Sequence, residues 1–239
     1  MTSLKKTLGL LGILLATAAP SAHADLLLYF SNAGAFVGTS ANAPAGPGTN
    51  IYATASFVDA GADTVRLTMN VLSGAGLAAG TFVNDWYFNL AGGNSLGLSY
   101  ALVGSSIGAV SIDKTAGVDC CKANGTGGNF DLAFHFNTGQ PANQLGAGQS
   151  SVYDLSRTGL TSSMFTLVSQ NVAGGGAGYT AAVHVQGYGN SVWLGNVPPP
   201  PPPCTVNCGT PPQELPEPGT LMILGTGLLA LAYRRRKQA

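Results

Sequence analysis

Charge is scarce in the body of this chain, and one charged residue type is missing from it. Residues 25–196 contain eight aspartates, no glutamate and four basic residues, giving a net charge of 4 − 8 = −4. Because a nucleic-acid partner requires cations to neutralise its phosphates, this composition excludes nucleic acid. The shortage of Lys and Glu, beside abundant Gly, Ser, Thr, Asn and Val, also argues against helices.

The body also lacks any long apolar stripe of helical period. Period-two alternation recurs instead and is clearest in residues 65–71, 130–136 and 179–186. Weaker alternation predicts further strands at residues 26–30, 51–58, 82–90, 96–103, 151–155, 164–168 and 192–194. Many short strands, each with one apolar face, predict an all-β antiparallel β-sandwich or jelly roll in residues 25–197.

The N-terminus has the three parts of a secretory signal peptide. Lys5 and Lys6 form a short positive region, and the apolar run 8–19 follows them. Ala22 and Ala24 then supply small residues at both positions of an A-x-A cleavage site. We therefore expect signal peptidase to cut after Ala24. An uncut anchor is the alternative, but the run is short for a bilayer.

The C-terminus is a short apolar run followed by concentrated positive charge. The run covers residues 221–233, and the basic cluster after it consists of Arg234, Arg235, Arg236 and Lys237. A helix of this length reaches about 20 Å, short of the ~30 Å hydrocarbon core, so length alone also fits a buried core helix. Basic residues stay on the cytoplasmic side, so the position favours a transmembrane helix whose C-terminus lies inside.

A short proline motif, Pro216, Glu217 and Pro218, precedes this run. Residues 216–239 thus combine a Pro-Glu-Pro element, a short transmembrane helix and an arginine-rich end, and they closely resemble the PEP-CTERM sorting signal of Gram-negative bacteria. The resemblance implies recognition by an exosortase, a membrane-embedded cysteine protease-transpeptidase that would cut near Pro-Glu-Pro. It also implies an inner-membrane intermediate that is passed on to the cell surface or extracellular matrix.

A proline-rich linker, residues 198–215, joins the body to this signal. Residues 198–203 are six consecutive prolines. Such a tract favours polyproline II and acts as a semi-rigid spacer, here reaching up to roughly 60 Å. Docking of an SH3-like partner is the alternative, but a stalk explains both the position and the composition.

Three segments of the body, residues 84–90, 128–132 and 182–187, resemble PEP-CTERM ectodomains that have no assigned activity. Their sequences are Asn-Asp-Trp-Tyr-Phe-Asn-Leu, Gly-Asn-Phe-Asp-Leu and Ala-Val-His-Val-Gln-Gly. The resemblance implies a β-fold but no reaction. We therefore expect no catalytic residue, no metal ligand and no cofactor.

Ser95 lies in residues 93–97, Gly-Asn-Ser-Leu-Gly, which fit the G-x-S-x-G pattern of hydrolases. In those enzymes a strand precedes the serine and a helix follows it. Here a strand is predicted to follow, so we expect a hairpin turn rather than a nucleophile.

Two histidines, His135 and His184, occupy polar-side positions of predicted strands, and Asp131 shares a face with His135. Two histidines and one carboxylate can bind a metal ion. Nothing in the spacing makes these strands neighbours, however. We expect both histidines to face solvent, and we expect their replacement by alanine to leave stability close to wild type.

The loop of residues 122–131 has oxygen-bearing side chains at alternating positions, as a calcium loop does. Calcium sites use several carboxylates, and only Asp119 and Asp131 flank this loop. Related ectodomains carry acidic residues where Asn124 and Thr126 stand, so this chain departs from the better binding pattern. We expect a glycine turn.

The chain has four cysteines, Cys120, Cys121, Cys204 and Cys208. An exported protein can form disulfides, and four cysteines allow three pairings. Cys204–Cys208 closes a very short loop in the linker and is favoured, whereas Cys120–Cys121 would be a strained vicinal bridge. A zinc site is disfavoured because the two cysteine pairs belong to different modules.

Taken together, these features predict a non-enzymatic protein of the cell surface or extracellular matrix. A carbohydrate-binding module acting on exopolysaccharide is the alternative. Its sugar-stacking candidates are Trp86, Tyr87, Tyr100, Tyr188 and Trp193. Three of them exposed on one face would favour this alternative. A hydrolase comes third, because no two carboxylates can be placed together from the sequence.

Overall fold

The computed structural model describes residues 25–37, 51–74, 80–92, 94–114, 120–124, 127–172, 177–187 and 191–198. The predicted signal peptide, transmembrane helix and sorting signal lie outside these residues, as do the proline-rich linker after residue 198 and Cys204 and Cys208 within it. Within the described ranges, no helix is long and apolar enough to cross a membrane.

Almost all regular structure in the described residues is β-strand. The strands are β1 (Leu26–Val37), β2 (Ile51–Gly61), β3 (Thr64–Val71), β4 (Phe82–Phe88), β5 (Ser99–Leu102), β6 (Ser111–Lys114), β7 (Cys121–Lys122), β8 (Asn129–Phe130), β9 (Leu132–His135), β10 (Ser150–Ser156), β11 (Ala181–Gln186) and β12 (Val192–Val197). Two short 3₁₀ turns are also present, Pro141–Asn143 and Ser162–Phe165. The all-β prediction is therefore confirmed.

Ten of these strands form one antiparallel sheet in the order β5-β10-β3-β2-β1-β12-β11-β4-β9-β6. The sheet curls, because residues from opposite ends of this order meet. The rings of Phe134 on β9 and Tyr153 on β10 lie 5.1 Å apart. Lys114 on β6 donates a 2.7 Å hydrogen bond to the Leu98 carbonyl just before β5, and its ammonium lies 4.9 Å from the Tyr100 ring centre. The two edge strands thus approach each other across a seam.

The concave side of the curled sheet encloses the main hydrophobic core. The largest side chains buried there are Trp86, Tyr52, Phe30, Phe57, Phe88, Phe134, Phe165, Leu67, Met69, Leu90 and Leu132. Val183 is fully buried in this core, as its place in the alternating pattern predicts. Removal of so much apolar surface from water stabilises the curled sheet.

A smaller apolar cluster lies on the opposite, outer face of the sheet. It consists of Tyr87, Cys121, Ala123, Phe130, Ala133, Ala182 and Trp193, with Phe36 and Tyr179 packed against it. Small residues of the sheet make room for its rings: a Cβ on Gly195 would lie 1.9 Å from the Tyr179 ring. The β7–β8 hairpin supplies Cys121, Ala123 and Phe130 to this cluster.

Three details of the strand prediction are wrong. Phe130, grouped with Leu132 and Phe134 by alternation, belongs to the outer cluster, because β8 ends at Phe130 and β9 begins only at Leu132. Residues 164–168 do not form a strand, since Ser162–Phe165 is a 3₁₀ turn. Phe165 alone anchors that segment by stacking on Phe57 at 4.2 Å, while Leu167 and Val168 are exposed. Tyr179, grouped with Val183 by alternation, belongs instead to the outer cluster, because it precedes the start of β11.

Candidate functional site

Three polar side chains stand in a row across the outer face, on β9, β4 and β11. Asp85 on β4 is directly opposite His135 on β9 and directly opposite His184 on β11. Residues paired in this way point to the same side of a sheet and lie within side-chain reach. The strand order therefore brings together two histidines that are distant in sequence, with one carboxylate between them.

A β-bulge helps to aim the central carboxylate. The register between β11 and β4 shifts between His184 and Val185, where Asn84 is the extra residue of β4. Bulges of this kind reorient side chains and are common beside functional sites. The Asn84 side-chain amide donates a hydrogen bond to Asp85.

The carboxylate of Asp85 binds both imidazoles. Its Oδ1 lies 2.7 Å from Nδ1 of His135, and its Oδ2 lies 3.1 Å from Nδ1 of His184. The other ring nitrogen of His135, Nε2, lies 3.2 Å from Oδ2 of Asp113 on β6. We call these four residues, Asp113, His135, Asp85 and His184, the polar row.

Burial increases along the polar row from the sheet edge inward. The Asp113 side chain is 62 % exposed and that of His135 26 %, whereas Asp85 is 14 % and His184 11 % exposed. His184 stacks face to face on Trp193, with ring centres 4.1 Å apart. The inner end of the polar row thus merges with the outer aromatic cluster.

The contacts shift the pKa values of two members of the row. The hydrogen bond from Asp85 raises the pKa of His135, and the charges of Asp85 and Asp113 add to this against the lowering effect of burial. Burial by itself would raise the pKa of Asp85, but the hydrogen bonds from His135 and His184 outweigh it, so that this pKa is lowered. Both shifts favour the charged forms.

The phenol next to the row is also perturbed. Burial raises the pKa of Tyr87, and the charges of Asp85 and Asp113 act in the same direction. Tyr87 therefore stays neutral at physiological pH.

The geometry of the polar row is that of a hydrogen-bonded chain. Each Nδ1 faces a different oxygen of Asp85, and Nε2 of His135 faces a second carboxylate. In the described part of the chain, no group of three or more His, Cys, Asp or Glu residues is arranged to hold a metal ion. His135 is bound by a carboxylate at both ring nitrogens, whereas His184 is bound by Asp85 at Nδ1 only and its buried Nε2 has no hydrogen-bond partner among the residues that the structure describes.

The prediction that both histidines face solvent is wrong. His184 is buried, with 9 % of its surface exposed, and the His135 ring lies between two carboxylates. Both histidines flank β4, a neighbour that the spacing does not reveal. Asp131 is not their partner, because its carboxylate accepts a 2.9 Å hydrogen bond from the Leu90 amide.

Ser95 lies just before a turn that leads into strand β5, so a strand follows it as predicted. The turn is not the predicted hairpin, because β5 pairs with β10 and not with β4. Its side chain is fully buried, and its hydroxyl donates to the main-chain carbonyl of Asp131. The amide of Leu98 donates back to the Ser95 carbonyl, and β5 begins one residue later. The arrangement lacks the exposed hydroxyl and following helix of a nucleophile elbow.

The 122–131 loop is a tight turn in its described part. Asn124 has a positive φ of 39°, and the Gly127 amide donates to the Ala123 carbonyl. Asp119 and Thr126 lie outside the described residues. Just before this turn, Cys120 and Cys121 form a vicinal disulfide, the pairing that the sequence analysis disfavoured. The favoured Cys204–Cys208 pairing stays a prediction.

The candidate sugar-stacking residues do not form an exposed platform among the residues described. Trp86 is fully buried in the main core, and Tyr87 and Trp193 are buried in the outer cluster. Tyr100 is 45 % exposed, at the seam. Tyr188 lies outside the described residues.

Asp85 and Asp113 were not predicted from the sequence as site residues. One signal was present for Asp85: it is the one charged residue inside β4, where six of the seven residues are buried. A carboxylate rarely occupies such a strand without a charged or hydrogen-bonding partner. Asp113 gave no such signal, because its strand has four residues and none of them is buried.

Comparison with known proteins finds a family match for one part of the chain. Residues 214–237 match the family model of the PEP-CTERM protein-sorting motif. No curated protein and no solved structure matches the chain. The matched residues include the Pro-Glu-Pro element, the apolar run 221–233 and the basic cluster, so the predicted sorting motif is confirmed.

Proposed function

We propose that this chain, which carries a PEP-CTERM sorting motif, is an exported and enzymatically silent β-domain that exosortase delivers to the cell surface or extracellular matrix. The motif itself indicates sorting by exosortase to the cell surface of a Gram-negative bacterium. The match at residues 214–237 is the observation that carries the proposal. Signal peptidase, an inner-membrane intermediate and a matrix location are the proposed finer steps.

The order of the segments supports this route. The signal peptide predicted before residue 25 would start export, and the run 221–233 would stop in the membrane with its basic end in the cytoplasm. Both ends of the precursor would then lie inside while the body is outside. The prolines of the linker would hold the body away from the membrane during cleavage.

The chemistry of the body supports a display role rather than catalysis. The imidazoles of the polar row are bound to carboxylates, and Ser95 is buried in a backbone hydrogen bond. Acyl transfer needs a nucleophile within reach of its base. No serine, threonine or cysteine side chain is hydrogen-bonded to His135 or His184 within the described ranges. A polar row whose imidazoles are hydrogen-bonded to carboxylates fits a non-catalytic role.

Alanine substitution of the motif tests the proposed sorting. We expect the triple change Pro216→Ala, Glu217→Ala and Pro218→Ala to leave the chain uncut in the inner membrane. The matched control replaces three linker prolines, 200–202, by alanine and should sort normally. Fractionation of cells followed by immunoblotting checks both. Normal surface delivery of the motif variant would contradict the proposal.

A second experiment tests enzymatic silence. The surface-released protein should not hydrolyse a chromogenic ester or a set of aryl glycosides above the level of a buffer blank. Hydrolysis that disappears in a Ser95→Ala or His135→Gln variant would show that the body is an enzyme, and sorting by the tail would still stand.

A further inference from the structure

His135 is placed so that its contacts require a second proton. Both of its ring nitrogens face carboxylate oxygens, Nδ1 at 2.7 Å from Asp85 and Nε2 at 3.2 Å from Asp113. Neutral imidazole has a single N–H, so it can donate to one of these carboxylates only. The doubly bonded arrangement is therefore that of the imidazolium, and loss of one proton turns a nitrogen lone pair toward a carboxylate.

The two contacts of His135 are unequal, and this decides which one is lost. Asp85 is held from three sides, by His135, His184 and Asn84, and its side chain is 14 % exposed. Asp113 has a 62 % exposed side chain on a four-residue edge strand. A deprotonated His135 keeps its remaining proton on Nδ1 for Asp85, and Asp113 turns into water.

The Asp113 side chain makes one of the contacts that hold β6 in place, beside the packing of Ile112 against the main core and the approach of Cys121 Sγ to the Asp113 carbonyl at 3.9 Å. On the outer face Asp113 contacts His135. Next to it, Lys114 reaches across the seam to the Leu98 carbonyl and the Tyr100 ring. In the ten-stranded sheet β6 is paired with β9 alone. Edge strands this short depend on such attachments, because their ladder has few hydrogen bonds.

We propose that His135 is a proton switch for the sheet edge, fastening β6 through Asp113 when doubly protonated and releasing it when neutral. The groups that face His135 are Asp85 and Tyr87 from β4 and Asp113 from β6. On β11, His184 lies beyond Asp85 and binds its other oxygen. The edge is closed on the acidic side of the transition and loosened on the alkaline side. This inference does not depend on how the chain is sorted.

Hydrogen exchange of the full-length chain tests the switch. Exchange of the peptide containing residues 111–114 is measured at pH 5.5 and pH 8.5 and corrected for the intrinsic pH dependence of amide exchange. In wild type we expect protection to fall several-fold at the higher pH. In Asp113→Asn the side-chain amide can donate to the lone pair of neutral His135, so protection should be the same at both pH values.

A matched control and a direct titration complete the test. Asp154→Asn removes a carboxylate of a surface ion pair on β10 and should retain the wild-type pH response of residues 111–114. The chain has only three histidines, so ¹⁵N-histidine NMR follows His135 individually and should show its midpoint falling in Asp113→Asn. A pH-independent wild type, or an Asp113→Asn variant that keeps the wild-type response, would overturn the switch.

Discussion

The outer face of the sheet has two halves, one around β3 and β10 and one around β4 and β11. Both halves carry polar residues at alternating positions, but the surroundings of these residues differ. On β3 and β10, Arg66 and Asp154 form a two-pronged ion pair at 2.8 and 3.0 Å whose side chains are 46 % and 29 % exposed. On β4, Asp85 accepts its hydrogen bonds from two histidines with only 14 % of its side chain exposed, beside an aromatic cluster. Water screens the first pair and is mostly excluded from the second.

The comparison indicates that covering one half of the outer face brings its polar side chains into contact with one another. The β7–β8 hairpin and the rings of Phe36 and Tyr179 pack over the half that contains β11 and β4. Polar side chains beneath such a cover must bind each other, because an unpaired buried charge is costly. On the uncovered half, the same alternation gives a solvent-exposed surface of independent side chains.

The largest loss of stability is expected from a substitution on the inner, core-facing side of the sheet, which both halves share. Val183→Asp puts a carboxylate among the apolar side chains of the fully buried core and should prevent folding. Thr68→Asp, on the outer side of β3, is the control and should fold. Circular dichroism and thermal melting of the two variants check this. A folded Val183→Asp protein with a wild-type melting temperature would mean that the core is assigned wrongly.

The direct comparison of the two outer faces uses one change on each. Asp85→Ala removes the acceptor of two imidazoles and should lower the free energy of unfolding by about 2–3 kcal/mol. Asp154→Ala removes a surface partner and should cost no more than about 1 kcal/mol. Urea denaturation measures both. Equal losses in the two variants would contradict the difference between the covered and uncovered halves of the outer face.

The double variant His135→Ala/His184→Ala should also be destabilised, because both imidazoles bind Asp85. This replaces the expectation from the sequence that loss of both histidines leaves stability close to wild type.

The packing of the cover can be tested at Gly195. An added methyl group would overlap the Tyr179 ring, so Gly195→Ala should destabilise the chain by about 1–3 kcal/mol. Gly97→Ala is the matched control, because its new Cβ would lie 3.7 Å from Arg157 in ordinary contact. The measurement is near-ultraviolet circular dichroism, which reports on the packing of the aromatic cluster and should change in the Gly195→Ala variant only.

The smallest expected effect is the pH dependence of stability. The pKa of His135 is raised in the folded chain, so its contribution is complete below the unfolded value of about 6.5 and is lost as the pH rises through the folded value. The pKa of Asp85 is lowered, so its contribution is complete above about 3.9 and is lost as the pH falls through the folded value. The polar row should therefore stabilise most between about pH 4 and 6.5.

Melting temperatures of wild type and His135→Gln across this range check the sign. The difference between the two should be largest near pH 5.5 and should shrink toward pH 8.5. A difference that grows with pH would contradict the assignment of a charged His135.

Local alternation was enough to predict most of the longer strands but not the site. The pattern of residues 65–71 and the core position of Val183 could be predicted, because inward and outward side chains alternate along a strand whatever its neighbours are. The four-residue strand β6 and the two-residue strands β7 and β8 are too short to show a period. The polar row depends on strand order: His135 and His184 are 50 and 99 residues from Asp85, and β4 must lie between their strands.

The tail presents the opposite case, since its function could be predicted from sequence without any structure. Its three parts are adjacent in the chain, so their order and spacing are visible directly. The confirmed match at residues 214–237 reflects this. Sites assembled from neighbouring residues are therefore predictable where sites assembled across a sheet are not.

Intact mass spectrometry of protein collected from the native cell surface tests the central claim most directly. The account predicts a chain that begins at Asp25 and ends near residues 216–220, without the apolar run and the basic cluster. A surface-exposed chain that still contains Ala239 would contradict processing by exosortase.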